Sequence, residues 1–420
     1  MIGRGRVVLA GVLLLAVILR GGFALLSRDH DSNISGWEPP ASEVEFLLTG
    51  LHSSDTQEYL ALARGIGQGA FGWGGAHSAW RVPGYPLFLF LLGRQVWLIL
   101  LVQVLLGVAT VALVWATVRR LAGPLHAPVA ALIVAVDAGS VLMAGVLLAE
   151  TLFTFLLASS LWLFLGGRRA WAAVVLGSAV LVRPVAVAAV VPLFAFLLVR
   201  VGRRQALAFG LIFLLLPVGW AARNLTRFGR PTLSTDTAFN LYYTHAGILL
   251  REQTGCDEAS VRNELVADLA SDRDIRNPVL LADRLAGRAL ARILGDPVRY
   301  AWIHARGTAR ILASVQSDDI IQRVRGARAR PELPGWAGLR SDPAKLLAAA
   351  FELLLLTVVY CAGLAAVLRR GAVPVTGLAL AVGLLLVLAA SPLTAGRLRV
   401  PAMPFLAVAA AGLVRRDPAG

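Results

Sequence analysis

Lysine is nearly missing from this chain: Lys345 is the single one in 420 residues, although Lys and Arg together number 40 and the net charge is +15. Charge of either sign is thin, at 15% of residues with only 25 acids. A soluble domain of average composition carries about a quarter charged residues, so a water-exposed globule is excluded. There are two cysteines, Cys256 in a polar stretch and Cys361 in an apolar run, which excludes a cysteine metal cluster and makes a mutual disulfide implausible. Histidines number six, and none is placed where it takes a catalytic role naturally. Internal repeats and low-complexity tracts are absent, and with them the symmetric halves common in transporters.

What is present is hydrophobic residue in long runs, 57% of the chain at a mean hydropathy of +0.71. A spanning helix needs roughly 20 mostly apolar residues. The runs at 7–26, 97–118, 125–148, 150–166, 170–182, 185–200, 205–222, 346–368, 372–390 and 400–414 predict about ten spans, the pair flanking Arg183 and Pro184 being short. The expected fold class is therefore an all-α polytopic membrane protein.

Arginine pairs at Arg4/Arg6, Arg119/Arg120, Arg168/Arg169, Arg200/Arg203/Arg204, Arg369/Arg370 and Arg415/Arg416 fall at alternate ends of these runs. Positive flanks stay cytoplasmic, so both termini are expected inside and the long polar segments 27–96 and 223–345 outside. The same arginines account for much of the net charge, so nucleic acid is not an expected partner. The first run resembles a signal peptide, but Arg28–Asp29–His30 follow it in place of a small-residue cleavage site, which predicts an uncleaved anchor. Arginine in place of lysine, with abundant Ala, Gly and Val, suggests a GC-rich bacterial source and hence the plasma membrane.

Three blocks follow: a transmembrane module over 1–222 with an outer loop at 27–96, an outer segment at 223–345, and returning helices at 346–420. Within the outer segment, Val261, Leu265 and Leu269, then Leu281, Leu285, Ala289 and Ile293, keep helical spacing and predict amphipathic helices over 258–313. Residues 314–343, rich in Arg, Pro, Gly and Asp, read as irregular.

The loop stretch SSDTQEYLALARGIGQG at 53–69 starts a helix twice over, Ser54 with Gln57 and Asp55 with Glu58 both fitting a capped start. Tyr59, Leu62, Ala63 and Ile66 then form an apolar stripe, and Asp55 and Tyr59 share a face. Asp55 reads either as a capping carboxylate or as a base, and Tyr59 as an interfacial aromatic or a substrate contact. A glycine-rich turn (Gly65, Gly67, Gly69, Gly72, Gly74, Gly75) leads to Trp80-Arg81-Val82-Pro83-Gly84-Tyr85-Pro86.

The order D-x-x-x-Y, then R-x-P-G-Y-P, in the loop after the first span resembles the GT-C superfamily of membrane glycosyltransferases. The branch it resembles holds protein O-mannosyltransferases and the aminoarabinose transferase of lipid A (glycosyltransferase families 39 and 83). Asp137-Ala138-Gly139, Ala149-Glu150-Thr151-Leu152-Phe153, Trp220-Ala221-Ala222-Arg223-Asn224, Phe239-Asn240-Leu241-Tyr242 and Arg397-Leu398-Arg399-Val400-Pro401 are similar to further family elements. Ala138 stands where the family has proline, and the likeness is thin across 245–390. The resemblance implies a GT-C fold, a lipid-linked sugar donor and a catalytic Asp at position 55.

Such chemistry requires a base for the acceptor hydroxyl, a cation for the departing phosphate and a groove for the prenyl chain. Asp55 is the expected base. Glu150 is expected at the same surface, as a helix cap, an acceptor-positioning group, or a partner of Asp55 on a divalent cation; no further ligands compel a metal, and no other cofactor is implied. Arg397 and Arg399 break the arginine pattern and either suit a phosphate or snorkel to lipid headgroups, with Arg81 and Arg183 as second choices for the phosphate. Asp137, mid-span, is expected to face a cavity or a buried partner on the donor side. Tyr242 and His245 are candidate sugar or acceptor contacts, or residues of interfacial packing. The acceptor is a glycan, a lipid or a protein hydroxyl. A transporter or flippase of lipid-linked precursors shares the hydropathy and the membrane acids, and an O-antigen polymerase or ligase is a weaker alternative.

Overall fold

In the computed structural model the described residues are 2–27, 42–49, 54–72, 77–273, 275–325, 342–369, 374–391 and 396–412. Readings placed on Arg28–His30, His52, Gly74, Gly75, Arg370, Arg415, Arg416 and the side chain of Arg4 lie outside them. Every regular element among the described residues is helical.

Four helices among the described residues are long and apolar enough to cross a membrane unaided: Gly5–Leu26, Val96–Ala122, Arg203–Phe228 and Pro343–Leu368. Shorter apolar helices, among them Glu150–Leu165, Arg169–Val182, Val187–Arg200 and Pro374–Ala390, pack between and beside them. These helices close into one apolar bundle. Its outward faces carry exposed Leu101, Leu105, Leu211, Leu215, Leu347 and Leu354, a belt that demands apolar solvent rather than water.

Two expected spans differ. The run 125–148 is broken at Asp137 into Ala127–Val136 and Ala138–Ala144, bent by 58°. The Asp137 carboxylate accepts from the Ser140 N–H (2.8 Å) and hydroxyl (2.6 Å). It therefore starts a second helix where the first would have continued, because a short acidic side chain competes with the backbone ladder. The final run 400–414 begins as a 3₁₀ turn, Gly396–Ala402, and continues as Met403–Ala411, a nine-residue helix. Nine residues reach about 14 Å, short of the ~30 Å hydrocarbon layer, and Met403 to Ala410 are all buried. Over its described length this element is a plug inside the bundle. Its alanines let the Pro343–Leu368 and Pro374–Ala390 helices close on it.

The polar segments form a cap. Helices Glu43–Thr49 and Asp55–Gly67 of the first segment share a core with residues 239–289 through Phe46, Leu47, Leu62, Trp80, Phe239 and Leu285. Amphipathic helices appear where expected, at Glu258–Asp268, Pro278–Gly295 and Pro297–Ala313, with Leu281, Leu285, Ala289 and Ile293 all buried. Residues 314–343 are not wholly irregular: Ser317–Arg325 is helical, with Asp318 and Asp319 in its first turn and Arg323 and Arg325 in its last, an arrangement that complements the helix dipole. The remainder, 326–341, lies outside the described residues.

Candidate active site

Ser54 caps the Asp55–Gly67 helix in a reciprocal box: its hydroxyl accepts from the Gln57 N–H, and the Gln57 side chain accepts from the Ser54 N–H. Asp55, the first helical residue, is thereby released from capping, and its carboxylate turns outward. One oxygen accepts from Arg81 Nη2 and the other from Arg397 Nη2, each at 2.6 Å. The Thr56 hydroxyl donates to the Leu147 carbonyl (3.1 Å), binding this helix start to the turn that precedes Glu150.

Arg81 spreads its fork over three acids. Nε donates to Glu58 (2.8 Å), Nη1 to Asp236 (3.1 Å) and Nη2 to Asp55, while the guanidinium carbon lies 5.2 Å from the centre of the Tyr59 ring. Glu58 also accepts from the Trp80 indole (2.7 Å). Asp236 reaches Arg81 because residues 79–80 run beside 234–236, the Thr235 N–H donating to the Ala79 carbonyl (2.9 Å) and the Asp236 N–H to the Trp80 carbonyl (3.2 Å). The turn after Arg81 is held by close approach: a Cβ on Gly84 would lie 2.4 Å from the Leu181 carbonyl oxygen, two residues before Arg183. Gly84→Ala should force the two elements apart and destabilise by about 1–3 kcal/mol, read as an earlier thermal transition in detergent.

Glu150 opens the Glu150–Leu165 helix but makes no capping bond. One oxygen accepts from Arg183 and lies 3.6 Å from Arg397 Nε; the other is buried without a partner. Arg183 sits in extended backbone where the Arg169–Val182 helix stops. Tyr85 and Tyr59 meet edge to face at 4.8 Å, and the Tyr85 hydroxyl donates to Gln103 (2.8 Å).

Asp55, Tyr59, Arg81, Glu150, Arg183 and Arg397 thus form one cluster at the junction of bundle and cap. The remaining candidates lie elsewhere. Arg399 is fully buried and points away from Arg397, donating to Glu352 (3.0 Å) and to the Ser314 (2.6 Å) and Leu312 carbonyls. Asp137 lies 3.9 Å from Arg399. Tyr242 donates to Asp268 (2.8 Å) within the cap core. His245 lies beside the Tyr300 hydroxyl (2.7 Å), where burial, with His304 nearby, lowers its pKa to about 4. Glu58 and Asp236 are additional members. Asp236 stands 155 residues from the arginine it meets, and its one sequence signal is the i, i+4 partner Asn240, whose amide donates to it at 2.8 Å. Among the described residues no group of three or more His, Cys, Asp or Glu side chains is arranged to hold a metal ion.

The electrostatics separate two carboxylates. Burial alone would push Asp55 up, but Arg81, Arg397 and Arg183 outweigh it and hold its carboxyl well below the usual range. Asp236 is raised to about 6, burial and the neighbouring Glu58 and Asp55 prevailing over Arg81. Asp55 is therefore ionised at any working pH, whereas Asp236 ionises across pH 6. If the cluster is catalytic, kcat/KM should rise through about pH 6 and then level, and Asp236→Asn should remove that limb. A raised acid pKa means the folded state holds the extra proton between the ordinary value of ~4 and 6. This group therefore favours folding on acidification from pH 7, and its contribution falls as pH rises through 6.

Residues 85–221 match the model of a family described as dolichyl-phosphate-mannose-protein mannosyltransferase. That stretch holds Tyr85, Gln103, Asp137, Glu150 and Arg183, while Asp55, Arg81 and Arg397 lie outside it. The match points to a membrane glycosyltransferase that uses a lipid-linked sugar donor. No curated protein and no solved structure matches the chain.

Proposed function

We propose that the protein is an inverting glycosyltransferase that moves a sugar from a polyprenyl-phosphate donor to an acceptor hydroxyl at the outer face of a bacterial plasma membrane, with both termini cytoplasmic. The observation that carries this reading is the Asp55 carboxylate, unused in capping and held by Arg81 and Arg397 where the apolar bundle meets the polar cap.

The cluster brings four carboxylates (Asp55, Glu58, Glu150, Asp236) against three guanidiniums (Arg81, Arg183, Arg397). With all of them ionised it carries one excess negative charge, so a donor phosphate enters by taking an arginine from a carboxylate. Arg397, about a third exposed, is the most open of the three. Its turn from Asp55 to the phosphate would leave one Asp55 oxygen free for the acceptor. The hydroxyl then attacks the anomeric carbon, its proton passes to Asp55, and the bond from that carbon to the phosphate oxygen breaks. Arg397 and Arg183 take the charge that develops on the departing polyprenyl phosphate. Arg81 holds Asp55 in line, and Tyr59 walls the pocket. An apolar cavity of about 460 Å³ between the first helix and the Pro343–Leu368 helix, lined by Leu19, Phe23, Ile320 and Phe351, suits a prenyl chain. Arg399 and Asp137 then act by fixing the 396–402 turn, and Tyr242 and His245 by shaping the cap on the acceptor side.

The test is reconstitution in liposomes with a panel of polyprenyl-phosphate sugars and a membrane extract as acceptor. Sugar-dependent release of free polyprenyl phosphate is the expected result and names the donor. Movement of intact donor between leaflets without release would replace the transferase by a transporter.

A further inference from the structure

Behind the segment that carries Arg81 lies a second cavity of about 460 Å³, lined by Glu43, His77, Ser78, Arg227, Arg276 and Asn277 among others. It opens where the long Arg203–Phe228 helix ends against the start of the Pro278–Gly295 helix. Asn277 fastens these walls together, its amide donating to the Phe228 carbonyl (2.8 Å) while its carbonyl oxygen caps the Val279 and Leu280 N–H groups.

The lining is cationic and lacks compensation. Arg227 has no hydrogen-bond or ion-pair partner among the described residues, and Arg276 reaches only the Arg273 carbonyl, at 3.5 Å. Arg223, one turn earlier on the helix that carries Arg227 and outside the lining itself, holds the Ser78 carbonyl (2.8 Å) and the Asn224 side chain (2.6 Å). His77 lies 3.3 Å from Arg223, and partial burial, then Arg227 and Arg223, lower its pKa. The acid in the lining, Glu43, forms no ion pair with Arg227 or Arg276 among the described residues. Both Glu43 oxygens are turned inward, accepting from the Ser78 hydroxyl (2.7 Å), the Ala79 N–H (2.9 Å) and the Thr235 hydroxyl (2.5 Å), and burial raises its pKa. Two guanidiniums, Arg227 and Arg276, therefore line the cavity without an ion-pair partner among the described residues, and Arg223 stands beside it. Arg227 and Arg276 are both exposed at the mouth of the cavity, and an incoming phosphate would meet planar donor forks suited to its oxygens.

We propose that this cleft binds a phosphate group, and, resting on the transferase reading, that the phosphate belongs to the acceptor. Ser78 lies three residues before Arg81, a separation of at most about 11 Å along the chain. The acceptor class is thus a phosphorylated glycan or glycolipid whose reacting hydroxyl stands about one sugar unit or two from its anionic group. The chemistry would also suit the phosphate of a membrane headgroup, and the test separates these sources.

Binding of inorganic phosphate is measured on the full-length protein in uncharged detergent, in an Arg397→Gln background so that the donor site does not contribute. Saturable binding is expected, weakened at least about tenfold by Arg227→Glu with Arg276→Glu and retained by the double lysine variant, which controls for folding. Absence of saturable binding, or equal binding by the folded charge-reversed variant, would overturn the site. The assay needs neither donor nor turnover, so it stands or fails apart from the transferase reading. In nanodiscs, phosphate binding that persists with phosphatidylglycerol as with phosphatidylcholine supports the acceptor. Displacement by phosphatidylglycerol alone would assign the cleft to the headgroup and overturn the acceptor assignment. With an active donor in hand, the charge-reversed variant should still release sugar to water while losing transfer to a phosphorylated acceptor.

Discussion

Asp55→Asn should lower sugar transfer by a factor on the order of 10²–10⁴, the range that removal of a positioned base produces, while the fold survives. The survival follows from how the neighbours are shared. Arg81 keeps Glu58 and Asp236, and Arg397 keeps Glu150 within 3.6 Å, so neither guanidinium is left without an acid. The asparagine carbonyl still accepts one hydrogen bond, and Ser54 still caps the helix. Release of polyprenyl phosphate by wild type and variant, measured beside their thermal unfolding in detergent, checks both halves. A loss of activity that tracks a loss of folded protein would make Asp55 a structural ion-pair partner.

The low pKa of Asp55 bears on how it could serve. A carboxylate held by two arginines is a weak base, and such a base works late, when the attacking oxygen has become acidic through bond formation. Capture of Arg397 by the donor phosphate would weaken that hold at the moment the acceptor needs it. Arg397→Gln should accordingly raise the donor KM strongly and reduce kcat less.

The sequence was legible where physical constraints are local. Apolar runs announced a helical membrane bundle, and the spacing of Leu281, Leu285, Ala289 and Ile293 announced the buried stripe of the Pro278–Gly295 helix. The capping pattern at Ser54 and Asp55 was visible too, yet not which residue would cap; only the reciprocal bond of Ser54 with Gln57 decides it. Non-local pairings were not legible. Nothing at Asp236 announces Arg81, and the alternation of arginines says nothing of a nine-residue helix buried from Met403 to Ala410. Asp137 looked like an acid within a span, since hydropathy does not register a side chain that restarts the helix. Arg397 and Arg399 look alike in sequence, but a tight 3₁₀ turn sends i and i+2 to different sides, one toward the cluster and one into the protein.

That divergence yields the second large effect. Arg399→Met should destabilise the protein by about 3–5 kcal/mol, the usual consequence of stripping one member from a buried ion pair. Arg399 is wholly buried, and Glu352 is nearly so. Without the guanidinium, the Glu352 carboxylate keeps only the Gln316 and Ser317 N–H groups, both at 2.9 Å, and the Ser314 carbonyl loses the Arg399 donor while the Leu312 carbonyl keeps the Tyr360 hydroxyl. A buried carboxylate stripped of its guanidinium raises the energy of the folded state. Adding Glu352→Met should recover part of the loss, because two apolar side chains of similar volume remove the carboxylate that the guanidinium had paired, although Asp137 still loses Arg399. Thermal unfolding of the two single variants and the double variant in one detergent measures the coupling. Strict additivity would show that the pair contributes little and would return Arg399 to consideration as a phosphate ligand. A strongly coupled pair, beside a normally folded Arg397→Gln with impaired donor binding, would divide the two arginines into one that holds the turn and one that meets the substrate.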